Sequence, residues 1–223
     1  ENQFSKGILP YYTLFPMARG KYIALCDGDD WWIDPYKLQK QIDFLEANSD
    51  FVACFHNVRV DCEGQISLFN SLTENHYPTT EDIIVRRWFI ATSAFVFRSV
   101  LKEYPSWTNE IVNDDVLLFL LLAKEGRFYY MDDVMSVYRK HRNSVSAQLN
   151  KNAINLNNQI INLYTLIKPL YPQDYEKYIN AAISNYQKEN EKLQRDIDYP
   201  CLKWFNWRTY KRLIFRKLRL QRY

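Results

Sequence analysis

The segment that most restricts the fold is Tyr22-Ile23-Ala24-Leu25-Cys26, a run of strand-forming residues. It stops at Asp27-Gly28-Asp29-Asp30 and is followed by Trp31-Trp32-Ile33-Asp34-Pro35. Strands of this kind are covered on both faces, and in an open α/β sheet they deliver the next residues of the chain to the edge where ligands bind. Acids that close repel one another and raise each other's pKa unless a cation neutralises them. Carboxylates offer only oxygen, which suits a hard divalent ion, Mg²⁺ or Mn²⁺, of the kind that also holds substrate phosphates. The arrangement therefore predicts a metal–diphosphate site, against the simpler reading of Asp27-Gly28-Asp29 as an ordinary turn. The aromatic stretch after the acids argues for a shaped pocket wall rather than a solvated turn. Asp34 as N-cap and Pro35 at the first helical position predict a helix over 35–48, with Leu38, Ile42 and Leu45 as its apolar face.

A second acidic pair, Asp114-Asp115, opens the run Val116-Leu117-Leu118-Phe119-Leu120, which is apolar on every side. Such a run predicts a buried helix whose N-terminus favours negative charge. An acid there either caps the helix or stays ionised and accepts a proton from a substrate hydroxyl. A third pair, Asp132-Asp133, reads as a turn between strands over 128–131 and 134–138. The remaining pattern predicts a strand over 51–60, a turn over 61–64 leading to a strand over 65–69, and a short helix capped by Thr80 running to Arg87. A strand over 91–98 comes next, then helices over 155–167 and 173–195 separated by Pro169 and Pro172. Residues 6–18 contain Pro10 and Pro16 and cannot form one unbroken helix.

The segment GKYIALCDGDDWWIDPYKLQKQIDFLEAN closely resembles the metal-binding segment of bacterial family 2 glycosyltransferases, which have the GT-A fold, and the likeness extends over roughly residues 20–146. In that family an Asp-x-Asp motif ends a central strand and holds a divalent metal on the diphosphate of a sugar nucleotide. The resemblance implies that Asp27 and Asp29 are the metal-holding carboxylates, with Asp30 the adjoining donor-side acid. It also implies that Asp115, or its neighbour Asp114, is the general base of inverting transfer. Tyr138-Arg139-Lys140-His141 is similar to a Tyr-Arg-x-His in the family, which places Arg139 and His141 near the diphosphate or the metal. Thr92, Ser93 and Trp32 are expected on the acceptor side.

The expected fold is α/β: a GT-A-like (Rossmann-like) mixed sheet flanked by helices over residues 1–147, then a C-terminal helical extension over 148–223. The implied function is metal-dependent, inverting transfer of a sugar from a nucleotide-sugar donor to a saccharide or lipid-linked acceptor in cell-surface polysaccharide synthesis. A non-catalytic carbohydrate- or partner-binding relic of the fold is the alternative. A nucleotidyltransferase, the other metal-using rival, would be expected to carry a Gly-rich phosphate loop, which is not visible here. Family members place a nucleoside-binding strand, loop and helix well before the motif, whereas 26 residues precede Asp27 here, so the expectation is a truncated domain.

Composition matters mainly for the tail. Residues 201–223 hold eight Lys or Arg and no acid; removing these from the 29 bases leaves 21 against 26 acids, a net of −5. With Trp204, Phe205, Trp207 and Tyr210 interleaved, 203–223 predicts either peripheral contact with an anionic membrane or a helix packed on its own domain. No nucleic-acid module is legible. The thinly spread cysteines, Cys26, Cys54, Cys62 and Cys201, read as reduced thiols. No apolar run is long enough to span a bilayer. The expected location is the cytoplasm, with the tail as the candidate membrane contact.

Overall fold

Two long neighbouring strands organise the molecule, described here by a computed structural model that covers residues 14–70, 77–86, 88–111, 113–141, 144 and 152–198. They are β3 (Phe51–Cys62) and β6 (Arg127–Lys140), which run parallel. The other strands are β1 (Tyr22–Ala24), β2 (Trp31–Trp32), β4 (Gln65–Leu68) and β5 (Val96–Arg98). All these further pairings are antiparallel, and the sheet order is β1-β5-β3-β6-β2, with β4 also on β3. The helices are α1 (Lys37–Ala47), α2 (Thr80–Val85), α3 (Asp114–Leu122), α4 (Ala153–Ile167) and α5 (Glu176–Asp198). This is the GT-A-like mixed α/β sheet with flanking helices and a helical C-terminal part.

Alternation along β6 divides the core into two. Phe128 and Tyr130 join a large cluster with Leu117–Leu122 of α3, while Tyr129, Met131 and Met135 join a smaller one with Leu45 of α1. Successive strand residues face opposite sides, so α3 and α1 cover opposite faces of the sheet. The large cluster continues into α4 and α5 through Leu156, Ile160, Leu163, Ile179 and Tyr186. Two tyrosines fasten this region by donating to main-chain carbonyls: Tyr164 to Ile84 at 2.5 Å and Tyr171 to Leu120 at 2.6 Å.

Several elements differ from their sequence expectation. β1 is three residues long, half-exposed, and among the described residues pairs only with β5; a strand covered on both faces needs neighbours that β1 lacks here. α1 starts at Lys37, because Asp34 makes a tighter local turn instead of capping. Its carboxylate accepts from Tyr36 N at 2.7 Å and its carbonyl from Lys37 N at 3.2 Å. The buried face of α1 is Lys37, Gln41 and Leu45, not the all-apolar stripe. The β3–β4 turn is centred on Glu63-Gly64, whose φ values of 52° and 89° match a two-residue hairpin loop of type I′.

Thr79, rather than Thr80, caps α2 through a reciprocal box with Asp82, since Thr79 keeps extended backbone angles. Residues 92–94 form a 3-10 turn ahead of β5. Asp132 and Asp133 are no turn between strands: β6 is continuous, with Met131 opposite His56 and Val134 opposite Asn57, so the two acids bulge out of the ladder. The expectations for 6–13, Arg87, the boundary near Gln148 and the tail 203–223 lie outside the described residues. No helix among the described residues is long and apolar enough to cross a membrane.

Arg98 joins three elements at the end of β5. It donates to the carbonyls of Phe51 at 2.9 Å, Asn48 at 3.3 Å and Leu45, and to the hydroxyl of Tyr22 at 3.0 Å. The Leu45 and Asn48 carbonyls are at the C-terminal end of α1, where a cation also suits the helix dipole. Arg98→Ala should lower unfolding stability by about 2–3 kcal/mol in urea titration, and Arg98→Lys should recover only part of it, because one ammonium cannot reproduce the guanidinium fork.

Candidate active site

After β1 the ladder continues briefly, with Leu25 N bonded to the Phe95 carbonyl at 3.1 Å, and the chain then reverses. Asp30 N bonds the Asp27 carbonyl at 3.1 Å, which closes a turn over Asp27-Gly28-Asp29-Asp30. β2 comes next and pairs with β6, Trp31 opposite Val137 and Trp32 opposite Ser136. The acid turn is thereby held between β6 and the 3-10 turn at 92–94. Asp27 and Asp29 are exposed, and a Cβ placed on Gly28 between them would meet nothing within 4 Å. Space is therefore open on the side of the turn to which a Gly28 side chain would project.

The side chains around the turn divide into two sets. Thr92 hydrogen-bonds the Asp27 carboxylate. Although the residue as a whole is exposed, partial burial of its carboxylate, then the charge of Asp29, raise the pKa of Asp27 against that hydrogen bond. Asp30 is half-buried, and burial lifts it to about 6 although Arg139 N and the Ser93 hydroxyl both donate to it. Ser93 is fully buried, and its hydroxyl also lies 3.2 Å from that of Ser136. Trp32 donates its indole N–H to the Ser93 carbonyl at 3.1 Å and remains 37% exposed. Arg139 lies near the end of β6, with His141 just beyond it.

The N-terminus of α3 is the other half of the site. Its first turn holds Asp114 and Asp115. Burial is the main cause that raises Asp114 to about 6 and Asp115 to about 7, and the charge of Asp27 adds to both. The long-range fold thus brings the acid turn and the helix start within electrostatic reach of each other. Backbone N–H groups of Asp115 and Val116 bond the two carboxylates without offsetting the burial. Asn113, just before the helix, is 4% exposed and its Nδ2 has no hydrogen-bond partner.

A divalent ion fits this donor set. Among the described residues no three His, Cys, Asp or Glu side chains close on a common point as a full protein cage would require. Mg²⁺ needs no such cage, since it is usually held by one or two carboxylates with water and substrate phosphate completing the shell. Asp27 and Asp29, all-oxygen and mutually repelling, are the two carboxylates that would hold it.

Two residues that support the site escaped the sequence reading. Lys37 is 1% exposed; its ammonium donates to Gln41 Oε1 at 2.8 Å and sits 4.4 Å from the Trp32 ring centroid. Burial lowers its pKa to about 8. Gln41 passes the connection on, donating to the Ala94 carbonyl at 2.9 Å and the Cys54 carbonyl at 3.3 Å. The available signal was their i, i+4 spacing with Leu45, masked by the more apolar Leu38–Ile42 stripe.

A profile of the family described as Glycosyl transferase family 2 matches residues 11–105. The uncharacterized protein Rv1520 of Mycobacterium tuberculosis is 35% identical over 130 residues, which cover 57% of this chain and 37% of that protein. The Escherichia coli protein named UDP-Glc:alpha-D-GlcNAc-diphosphoundecaprenol beta-1,3-glucosyltransferase WfaP is 28% identical over 143 residues, or 64% of this chain and 55% of that one. The chain thus spans between about one third and about half of the lengths of these relatives. The matched segment contains the acid turn, Trp32, the buried Lys37–Gln41 pair and the 92–94 turn, so this part of the chain is similar to the domain that defines glycosyl transferase family 2.

Proposed function

We propose that the site serves a metal-dependent, inverting glycosyltransferase that takes a sugar from a nucleotide-sugar donor. The observation that carries this reading is the convergence of Asp27 with the Asp114–Asp115 pair, acids from distant parts of the chain that lie close enough to repel one another. Such convergence is unfavourable in a purely structural role and useful where a cation and a proton must both be handled. Asp27 and Asp29 would hold Mg²⁺ or Mn²⁺, which supplies positive charge against the departing diphosphate. Asp115 is the base in this reading, since a carboxyl near pH 7 is matched to taking a proton from an acceptor hydroxyl at neutral pH. Asp114 beside it keeps that pKa raised by its charge.

The exposed part of the Trp32 ring offers an apolar wall for a sugar, with Lys37 and the Ser93 carbonyl fixing its orientation. Thr92 orients Asp27. Arg139 and His141 lie on the side of the turn where β6 ends, suited to the donor's phosphates. We favour a lipid-linked acceptor, by analogy with the diphosphoundecaprenol in the name of the E. coli relative, within cell-surface polysaccharide synthesis.

Asp115→Asn in the full-length protein should lower turnover by about 10²–10⁴ while leaving donor affinity intact; equal turnover would remove Asp115 from the chemistry. Asp29→Ala should abolish the Mn²⁺-dependent part of nucleotide-sugar binding in calorimetry, and intact binding would contradict the metal role.

Acid–base behaviour gives a separate check. The folded pKa values of Asp114 and Asp115 lie above the unfolded value, so the folded state binds more protons between about pH 4 and pH 7. Stability without divalent ions should therefore fall as pH rises through that window. Asp115→Asn should raise unfolding stability by roughly 1–2 kcal/mol at pH 7.5 and leave it nearly unchanged at pH 4. Thermal melts at the two pH values, in chelator, decide it.

A further inference from the structure

Asp30 differs from the two acids before it. The ladder between β2 and β6 is only two residue pairs long and ends at Trp31–Val137. Along β6, alternate residues present their backbone groups to the same neighbouring strand, so the Arg139 N–H faces the edge that β2 has just vacated. A backbone N–H left there would need another acceptor. Asp30 Oδ1 supplies it at 2.9 Å, across a sequence separation of 109 residues. The same carboxylate accepts from the Ser93 hydroxyl. Asp30 therefore binds three pieces at once: the acid turn, the end of β6 and the 92–94 turn, whose Thr92 holds Asp27.

We propose that Asp30 is a positioning residue, a side-chain substitute for the missing strand that locks the end of β6 to the acid turn, and that it is not a metal ligand. The proposal rests on the metal-dependent reading of Asp27 and Asp29 and assigns their neighbour a different task. Its consequence is a division of labour within one turn. Asp27 and Asp29 are exposed residues on either side of Gly28, whereas Asp30 is half-buried and, tied to the Arg139 N–H, sets how closely Arg139 and His141 approach them. A carboxylate used this way needs its acceptor oxygens more than its charge. Asparagine can supply both contacts: Oδ1 would accept from Arg139 N, and Nδ2 would donate to Ser93 Oγ, whose own proton can then pass to Ser136 Oγ, since that pair can be donated in either direction. Alanine can supply neither.

The test uses the whole chain with Asp30→Asn, Asp30→Ala and, as reference, Asp29→Asn. Two measurements are made: amide hydrogen exchange at Arg139 by NMR, and affinity for Mn²⁺ alone by electron paramagnetic resonance. Asp30→Asn should keep Arg139 protected and bind Mn²⁺ within about fivefold of the parent, the screened loss of one nearby charge. Asp30→Ala should speed Arg139 exchange on the order of tenfold or more, the loss of one hydrogen bond to a charged acceptor. Asp29→Asn should lose Mn²⁺ binding while keeping Arg139 protected. If Asp30→Asn loses Mn²⁺ as completely as Asp29→Asn, Asp30 is a ligand and the proposal fails. Unchanged Arg139 exchange in Asp30→Ala overturns it as well. A parent chain that binds no Mn²⁺ would instead sink the metal reading, and the exchange data would still decide the lock.

Discussion

Mutual repulsion among carboxylates is the constraint on which the rest of this structure turns. Asp27 feels Asp29 within its own turn and, through the tertiary fold, raises both Asp114 and Asp115. A protein gains nothing in stability from such an arrangement; each acid held above its ordinary pKa is a folded-state liability at neutral pH. The architecture around the site opposes that liability with packing remote from it. α3 is buried from Leu117 to Leu122, so its first turn cannot retreat from the acid loop without dragging the core with it. The neighbouring edge is equally fixed: Trp32 is held by the Ser93 carbonyl and lies over the Lys37 ammonium.

The scaffold under the acid loop is more polar than an ordinary core. Lys37, Gln41, His56 and Ser93 are all at or below 1% exposure, and each makes a specific bond to a neighbour in or near the sheet. Burial drives His56 to about 3, so it is neutral, and its Nδ1 is 2.7 Å from the Asn57 carbonyl. Its Nε2 has no hydrogen-bond partner among the described residues, but the bonds of Lys37, Gln41 and Ser93 fix one register and one helix orientation, where an apolar layer would tolerate sliding. That rigidity is what a site needs if carboxylates from two elements must meet at a set spacing. Arg98 does similar work at the other end of α1 by gathering the Leu45, Asn48 and Phe51 carbonyls.

Local signals in the chain predicted the α/β class, the strand-to-acid transition at Asp27, the helix following Asp34 and the helix beginning at the Asp114–Asp115 pair. Those features depend on residue order and periodicity, which sequence carries directly. The assignments that shifted depend on pairing or on alternatives of nearly equal local energy. Asp132 and Asp133 resemble a turn by composition, yet β3 continues beside them and pulls β6 through as one bulged strand. Leu38 and Ile42 have the spacing of an inner face for α1, but Lys37 and Gln41 occupy it because Trp32 and the Ala94 carbonyl provide partners that only the fold brings there.

The sequence by itself determined which chemistry is available: oxygen-only acids at a strand end, a second acidic pair at a helix start, and aromatic residues beside the first. Tertiary structure alone decided how those groups share the work, because charge interaction and hydrogen bonding depend on distance in space. It brought Asp27 near Asp114 and Asp115, tied Asp30 to Arg139 and Ser93, and left Asp27 and Asp29 exposed. Three aspartates within four positions are chemically alike as letters in a chain; the unpaired N–H at the end of one ladder is what makes one of them different.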